Sequence, residues 1–179
     1  MEHIRISDKI RLERIKMSMA PVIFETVDRD RKYLREWLPF IDYTKEVKDT
    51  EAFIRSITSG NNQRDDIYCI WYNEEFAGLI GYKDTDYVNH KTEIGYWLSE
   101  RMQKKGIITA CVEKLVRYAF QKLGMNRVQI KVAENNVKSE AIPQKLHFQL
   151  EGIERDGEWH GNKFLNLKIY SILASDRYK

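Results

Sequence analysis

The chain has 179 residues and a formal net charge of +3, from 30 lysines and arginines against 27 acidic residues. Such a small charge, with both signs evenly mixed, gives no indication of nucleic-acid binding, and no apolar run approaches the roughly 18 residues that a membrane span needs. Hydrophobic residues at 42% and charged residues at 32% are typical of a globular protein, so we expect residues 1–179 to form a single domain with a substantial core.

Several compositional features indicate an ordinary intracellular chain. The first residues, Met1 to Arg5, lack the apolar core of a signal peptide, so we expect a cytoplasmic location. Cys69 and Cys111 each occur alone, in a predicted strand and a predicted helix, and are expected to be buried free thiols. The four histidines show no metal-ligand spacing, so we predict no metal site.

The first third of the chain is predicted to contain one short strand and three helices. The strand is expected at Ile10–Ile15, two helices at Ser18–Asp28 and Asp30–Trp37, and a third helix that ends near Thr58. Pro39 is expected to end the second helix, because proline cannot continue a helix. Thr50 is expected to cap the third helix.

The next segment is predicted to be a loop followed by a hairpin. Ser59–Asp66 is polar and is expected to be the most mobile loop of the chain. Ile67–Tyr72 and Phe76–Asp84 have the composition of two strands joined by a turn at Asn73–Glu75. Residues Asp86–Lys91 then turn the chain into the strand around which the rest is organised.

The stretch Glu93–Cys111 is predicted to be a strand, a basic loop and a helix in succession. Side chains alternate over Glu93–Leu98, residues Ser99–Gly106 are polar and basic, and an apolar stripe follows at Ile107, Cys111, Leu115 and Tyr118. The first helical turn has unbonded N–H groups and partial positive charge, which suit a phosphate, and Gly106 permits close approach. A plain connection with solvated lysines explains the pattern equally well.

The last third is predicted to complete a mixed sheet. The helix is expected to end near Leu123 with Gly124 as a left-handed cap, and Arg127–Val132 to form a strand parallel to the previous one through a right-handed crossover. Asn135 or Asn136 is expected to cap a short helix. The last strands are predicted at Phe148–Arg155 and Asn166–Leu173, joined through Asp156–Gly161. The fold class expected is α/β (α+β), a mostly antiparallel twisted sheet with helices on both faces.

Three motifs resemble those of the GNAT (N-acetyltransferase) superfamily. Gln103–Ile108, reading QKKGII, resembles its acyl-coenzyme-A pyrophosphate loop, with Ile108 where a second small residue is usual. Asn136–Phe148 resembles the family's N-x-x-S…K-L-G-F segment, with His147 in place of the glycine. Arg35–Pro39 resembles the N-terminal region of the ribosomal-protein N-terminal (serine/alanine) acetyltransferase branch. The resemblance implies an N-acetyltransferase that uses acetyl-coenzyme A (acetyl-CoA).

The resemblance also implies where the cofactor lies, with its diphosphate at Gly106 and its pantetheine arm along the central strand. The residues expected to bind it are Ile94, Tyr96, Leu98, Gln103, Lys104, Lys105, Gly106, Ile107, Ile108, Thr109, Asn136 and Lys145. Asn136 resembles the family asparagine that hydrogen-bonds the arm, and a simple helix cap is its alternative role.

The reaction implied is direct attack of a neutral amine on the thioester. In the family a tyrosine commonly donates to the leaving sulfur, but the matching position here is Pro143. Ser139 resembles the serine that the ribosomal branch uses instead, and it is the expected donor; a capping serine is the alternative. The resemblance favours Glu158 as the general base, with Glu93 second. Either carboxylate has a structural alternative, solvent exposure for Glu158 and a salt bridge to Lys91 or Arg101 for Glu93.

Pro143 supports an expectation that does not depend on the family. Proline has no N–H, so the carbonyl of Ser139 loses its partner in a helix. We therefore expect a bend or a water molecule at that carbonyl.

The acceptor is expected to be an amine, with the N-terminus of a ribosomal protein favoured. An α-amine has a pKa of about 7.7–8.0 against about 10.4 for lysine, so more of it is neutral near pH 7. A small amine, such as a polyamine or an aminoglycoside, and a non-catalytic acyl-CoA-binding module are the alternatives. The resemblance implies that Trp37 and Tyr43 wall the acceptor cleft, although core packing also explains them, and it suggests a homodimer.

Overall fold

The fold is an eight-stranded twisted sheet in a computed structural model that describes residues 2–60 and 64–176. The strands are β1 (His3–Arg5), β2 (Ile10–Arg14), β3 (Asp66–Tyr72), β4 (Glu75–Asp86), β5 (Lys91–Leu98), β6 (Arg127–Ala133), β7 (Gln149–His160) and β8 (Lys163–Leu173). Their order is β1-β2-β3-β4-β5-β6-β8-β7. Every pairing is antiparallel except that of β5 with β6, so the mixed, mostly antiparallel sheet is confirmed.

Five α-helices of the described residues pack on the two faces of this sheet. They are α1 (Ala20–Arg29), α2 (Arg31–Leu34), α3 (Val47–Thr58), α4 (Ile107–Gln121) and α5 (Val137–Lys145). One core lies between the sheet and α4, with Cys111, Val112 and Leu115 buried. The other lies under α1 and α3, with Ile23, Val27 and Ile54 buried. Cys69 and Cys111 are free and buried, as expected.

The helical region between β2 and β3 differs from the prediction at three points. The helix α2 ends at Leu34 instead of Trp37, because Leu38 is held in an extended conformation before a proline. Pro39 does not end this helix but opens a 3-10 turn over Pro39–Asp42. The N-cap of α3 is Glu46 and not Thr50, because Glu46 and Asp49 exchange side-chain bonds in a capping box.

Two strands also depart from the prediction. The edge strand β1 was not predicted, because its three residues are too few to show an alternating pattern. The segment predicted to connect the last two strands belongs to β7, which continues to His160. A register shift between Glu154 and Glu158 absorbs the extra residues of that segment. The predicted mobile loop includes residues 61–63, which lie outside the described residues.

The parallel strands β5 and β6 diverge and leave a cleft between them. They pair only over Lys91–Glu93 and Arg127–Gln129, and no pairing is recorded beyond Glu93. The crossover helix α4 fills one face next to the opening, and α5 begins directly after β6. The divergence therefore leaves the second halves of both strands facing a cleft. None of the helices in residues 2–60 and 64–176 is long and apolar enough to cross a bilayer.

Candidate active site

A cavity of about 500 Å³ lies where β5 and β6 diverge. One part of its wall is apolar and comes from α1, α3 and the sheet, including Ile23, Val27, Phe53, Leu79 and Trp97. The other part is polar, with Lys83, Glu93, Asn136, Ser139 and Glu158. A cleft that combines an apolar chamber with a few converging polar groups is typical of a small-molecule site.

The loop between β5 and α4 presents unbonded backbone amides. Gly106 is the N-cap of α4, so the amides of Ile107–Thr109 precede the first intrahelical bond. Among the described residues, no acceptor is recorded for the amides of Lys104–Thr109. Gly106 has φ of 72°, and a Cβ there would meet no described atom within 4 Å. The free amides, the helix dipole and the open space above Gly106 fit a diphosphate.

Side chains of this loop have distinct surroundings. The Gln103 amide nitrogen donates to the carbonyls of Leu98 and Ser99 at 3.4 Å, which ties the loop to the end of β5. The Lys105 ammonium lies 5.0 Å from the ring centre of Tyr72. Lys104 is exposed and has φ of 63°. The loop is therefore held at its ends and carries positive charge on its open side.

A buried carboxylate anchors the same loop from below. Asp30, 7% exposed, follows α1 and accepts the Ser99 hydroxyl at 2.5 Å and the Glu100 amide at 3.1 Å. Arg29 forms a salt bridge with it at 2.9 Å. Burial raises the pKa of Asp30, but the bonds from Arg29, Ser99 and Glu100 outweigh burial and hold this pKa below its usual range.

We expect Asp30→Asn to destabilise the fold by about 2–3 kcal/mol at pH 7, because charge-assisted hydrogen bonds are lost. The folded-state pKa of Asp30 is lowered, so its contribution is present above the unfolded-state pKa and disappears as pH falls through the folded value. The difference in unfolding free energy between wild type and Asp30→Asn should thus become smaller below about pH 4. Urea unfolding at several pH values measures it. Asp28→Asn, which breaks an exposed salt bridge to Arg31, should cost less than about 1 kcal/mol; an equal loss in both variants would contradict this role.

The start of α5 brings Asn136 and Ser139 to the cleft. Of the two expected capping residues, Asn136 is the N-cap, and its side-chain oxygen accepts the Ser139 amide at 3.2 Å. The Ser139 hydroxyl donates to the Tyr96 hydroxyl at 3.3 Å. The Tyr96 hydroxyl in turn donates to the Ser139 carbonyl at 3.1 Å. The carbonyl freed by Pro143 thus has a protein partner instead of the expected water.

Glu93 lies in the cleft but is already bonded. It is 3% exposed, and its carboxylate forms a salt bridge with Lys83 at 2.7 Å and accepts the Gln129 side-chain amide at 3.0 Å. Lys83 replaces the partners considered from the sequence, Lys91 and Arg101. The latter pairs with Glu75.

Glu158 lies in strand β7, half-buried, and lines the cleft. Within the described part of the chain its carboxylate has no hydrogen-bond or salt-bridge partner, and nearby charges act on it only through space. Desolvation raises the pKa of Glu158, and the negative charge of Glu93 adds to this, while His160 and Lys83 oppose it. A carboxylate with a raised pKa and a free oxygen has the properties of a general base.

The structure places the other predicted site residues as follows. Trp37 lines the cleft. Tyr43 is 74% exposed and lies outside the cavity wall. Lys145 is exposed at the end of α5, away from the cavity wall. Ile94 and Tyr96 line the cleft, and Leu98 lies at its second, smaller recess with Gln103 and Ile108.

Two departures from the family motifs are accommodated by the backbone. His147 has φ of 59°, which is the left-handed conformation that glycine adopts at least cost. Ile108 is 7% exposed and packs in the core, so its side chain points away from the loop surface while its amide remains in the first turn of α4. Neither residue therefore closes the site.

Sequence reasoning missed Lys83 and Gln129 as members of the site. Lys83 is the cross-strand partner of Glu93 in the β4–β5 pair, and Gln129 is its partner in the β5–β6 pair. The predicted hairpin and the parallel crossover contained this information, but only through their registers. Patterns of alternation show which strands exist without fixing which residues face each other.

The chain is similar to known proteins over most of its length. A family model described as an acetyltransferase (GNAT) domain matches residues 9–149. The chain is 32% identical over 176 residues to the putative ribosomal N-acetyltransferase YdaF of Bacillus subtilis (strain 168), covering 96% of this chain and 95% of YdaF. It is 24% identical over 181 residues to the ribosomal-protein-serine acetyltransferase of Escherichia coli (strain K12), covering 98% and 99%. The structure of the microcin C7 self-immunity acetyltransferase MccE in complex with acetyl-CoA and AMP matches with a TM-score of 0.90 at 26% identity, over 96% of each chain.

Proposed function

Because this chain belongs to the GNAT acetyltransferase family, we propose that it acetylates the α-amino group at a protein N-terminus, of the kind found on ribosomal proteins. It is an N-acetyltransferase that uses acetyl-CoA. Two full-length relatives are named for ribosomal substrates, and they support this choice of acceptor. The geometry of the cleft supports it independently.

The residues that hold the cofactor lie in the β5–α4 loop, in β5 and at the start of α5. The free amides of Lys104–Thr109 bind the diphosphate, and Lys104 adds positive charge beside them. The second half of β5 pairs with β4 on one side but not with β6 on the other, so its backbone groups on the β6 side are available to the pantetheine amides. Asn136 keeps its side-chain NH₂ group for the same arm, since its oxygen caps α5.

Two side chains carry the chemistry in this proposal. Acetyl-CoA, when bound, would supply a thioester: the amine nitrogen would bond to its carbonyl carbon, and the sulfur would leave with the electrons of the broken C–S bond as a thiolate that takes a proton from solvent, to which Glu158 returns the amine proton. Glu158 accepts the amine proton as general base. The Ser139 hydroxyl donates a hydrogen bond to the sulfur as negative charge develops there. Glu93 is a structural residue, because both of its oxygens are bonded.

One observation carries the choice of acceptor: among residues 2–60 and 64–176, the cleft offers a single carboxylate for which no hydrogen-bond or salt-bridge partner is present. Three carboxylates line it, but Asp49 accepts the amides of Lys45 and Glu46, and Glu93 is bonded to Lys83 and Gln129. A polyamine would bring several cationic groups into the cleft, and its one unpaired carboxylate could balance only one of them, so the other charges would lose hydration without gaining a free anionic partner. An N-terminal α-amine brings one cationic group, and a substantial fraction of it is neutral near pH 7.5.

Thiol release from acetyl-CoA tests this proposal with a panel of acceptors. Peptides that begin with serine or alanine should be acetylated at least about tenfold more efficiently, in kcat/KM, than spermidine or an aminoglycoside. The matched control is the same peptide with a blocked N-terminus and a free lysine, which should be inert. A higher kcat/KM with a small amine than with the peptides would show that the acceptor is a small amine. Tight coenzyme A binding without turnover on any amine would show that the protein is a non-catalytic binding module.

A further inference from the structure

Tyr96 links the central strand to the helix that carries Ser139. Its hydroxyl donates to the Ser139 carbonyl at 3.1 Å, so the phenol proton is directed at the backbone of α5. Burial raises the pKa of Tyr96 well above its ordinary value, so the hydroxyl remains protonated across the working range of the enzyme. The phenol proton is therefore donated to the Ser139 carbonyl, and the lone pairs of the phenol oxygen can accept another hydrogen bond.

The acceptor of that bond exists because of Pro143. In a regular helix the amide of residue 143 would bond to the carbonyl of Ser139, and proline has no such amide. The Ser139 carbonyl is part-buried, and a carbonyl that is shielded from water and has no partner costs free energy; the hydrogen bond from the Tyr96 hydroxyl reduces that cost. The proline and the tyrosine thus act together, from two elements, on one carbonyl.

The same hydroxyl receives the proton of Ser139. The Ser139 Oγ donates to the Tyr96 oxygen at 3.3 Å, and since the phenol proton is used on the carbonyl, the tyrosine oxygen acts only as an acceptor. The Ser139 hydroxyl is consequently held as a donor at the wall of the cleft. We propose that Tyr96 is a positioning residue, which fixes α5 against β5 and orients the Ser139 hydroxyl for donation to the leaving sulfur.

This inference rests on the proposed function, because it assigns a role through Ser139. It moves no proton: Ser139 exchanges one hydrogen-bond acceptor, the Tyr96 oxygen, for another, the sulfur. The bond at 3.3 Å is long for a hydroxyl pair, so the exchange requires little free energy. Without Tyr96, the serine proton can turn toward a helix carbonyl instead, as serines in helices commonly do.

A double-mutant cycle tests the positioning role. Ser139→Ala should lower kcat at least about tenfold, and Tyr96→Phe about fivefold, with the KM for acetyl-CoA changed less than about threefold. In the Ser139→Ala background, Tyr96→Phe should have no further effect on kcat, because the hydroxyl that it positions is absent. A tyrosine with only a structural role would lower kcat by the same factor in both backgrounds.

Tyr82→Phe is the matched control. The Tyr82 hydroxyl is buried and donates to a helix carbonyl, that of Leu115 in α4, at 2.6 Å, so it reports the cost of losing such a bond away from Ser139. Its effect on kcat should be the same with and without Ser139. Multiplicative losses for Tyr96→Phe and Ser139→Ala, or a Tyr96→Phe enzyme with wild-type kcat, would overturn the inference alone. A wild-type protein without turnover would instead overturn the proposed function.

Discussion

Glu158→Gln should lower kcat/KM for the amine by about 10²–10⁴-fold, the usual contribution of a general base. Glutamine keeps the size of the side chain but cannot accept the proton. The pH profile gives a second, sharper expectation. The base works in its ionised form, so the rate falls as pH drops through the pKa of Glu158, which burial raises. That fall should occur above the pKa of an exposed glutamate, about 4.3, and it should disappear in the variant.

Glu154→Gln is the control for this prediction. Glu154 lies in the same strand and forms an exposed salt bridge with Lys131 at 2.8 Å, so its loss tests a surface charge without touching the base. We expect kcat/KM within about twofold of wild type, since exposed pairs contribute little. An unchanged rate and an unchanged pH profile in Glu158→Gln would show that water or another group accepts the amine proton.

Gly106→Ala should weaken coenzyme A binding about tenfold to a hundredfold. The added methyl group points into the open space above the loop, where the diphosphate is proposed to lie, and it would displace one or more charge-assisted hydrogen bonds from the amides. The positive φ of 72° also strains alanine by about 1 kcal/mol. Calorimetric titration with coenzyme A measures the affinity, and thermal unfolding measures the strain.

Gly124→Ala separates the two effects. Gly124, the predicted cap, lies two residues beyond the actual C-cap of the same helix, Lys122; it has φ of 68°, and a Cβ there also meets no described atom within 4 Å. The backbone strain should therefore match, with a similar fall in melting temperature, while the affinity for coenzyme A stays at the wild-type value. Equal affinities for both variants would contradict the placement of the diphosphate at Gly106.

The fold was largely predictable because its elements have strong periodic patterns. The alternation over Glu93–Leu98 and the stripe through Ile107 and Leu115 gave β5, α4 and their parallel crossover to β6. The errors lie where local patterns are weak. The short strand β1 is defined by its pairing with β2, which local sequence does not show. The register shift in β7, which continues to His160, likewise depends on pairing with β8.

The sequence motifs indicated Ser139, Glu158 and Glu93, and all three line the cleft, but their bonds could not be predicted from the sequence. Only the register of β4 on β5 shows that Lys83 lies opposite Glu93 and forms a salt bridge with it. The missing N–H of Pro143 indicated that the Ser139 carbonyl lacks its helical partner, but the expected water is replaced by a side-chain hydroxyl. The partner of that carbonyl, Tyr96, comes from a distant strand, and such a contact depends on how α5 packs against the sheet.

Hydrogen exchange in the β5–α4 loop tests the proposed diphosphate site most directly. The amides of Lys104–Thr109 have no recorded acceptor in the described structure, so they should exchange quickly in the free protein and slowly when a diphosphate binds them. We predict that coenzyme A slows exchange in the peptide covering residues 103–110, whereas pantetheine, which lacks the diphosphate, does not. Slowing by both ligands alike, or slowing by coenzyme A elsewhere on the molecule and not in this loop, would contradict the site.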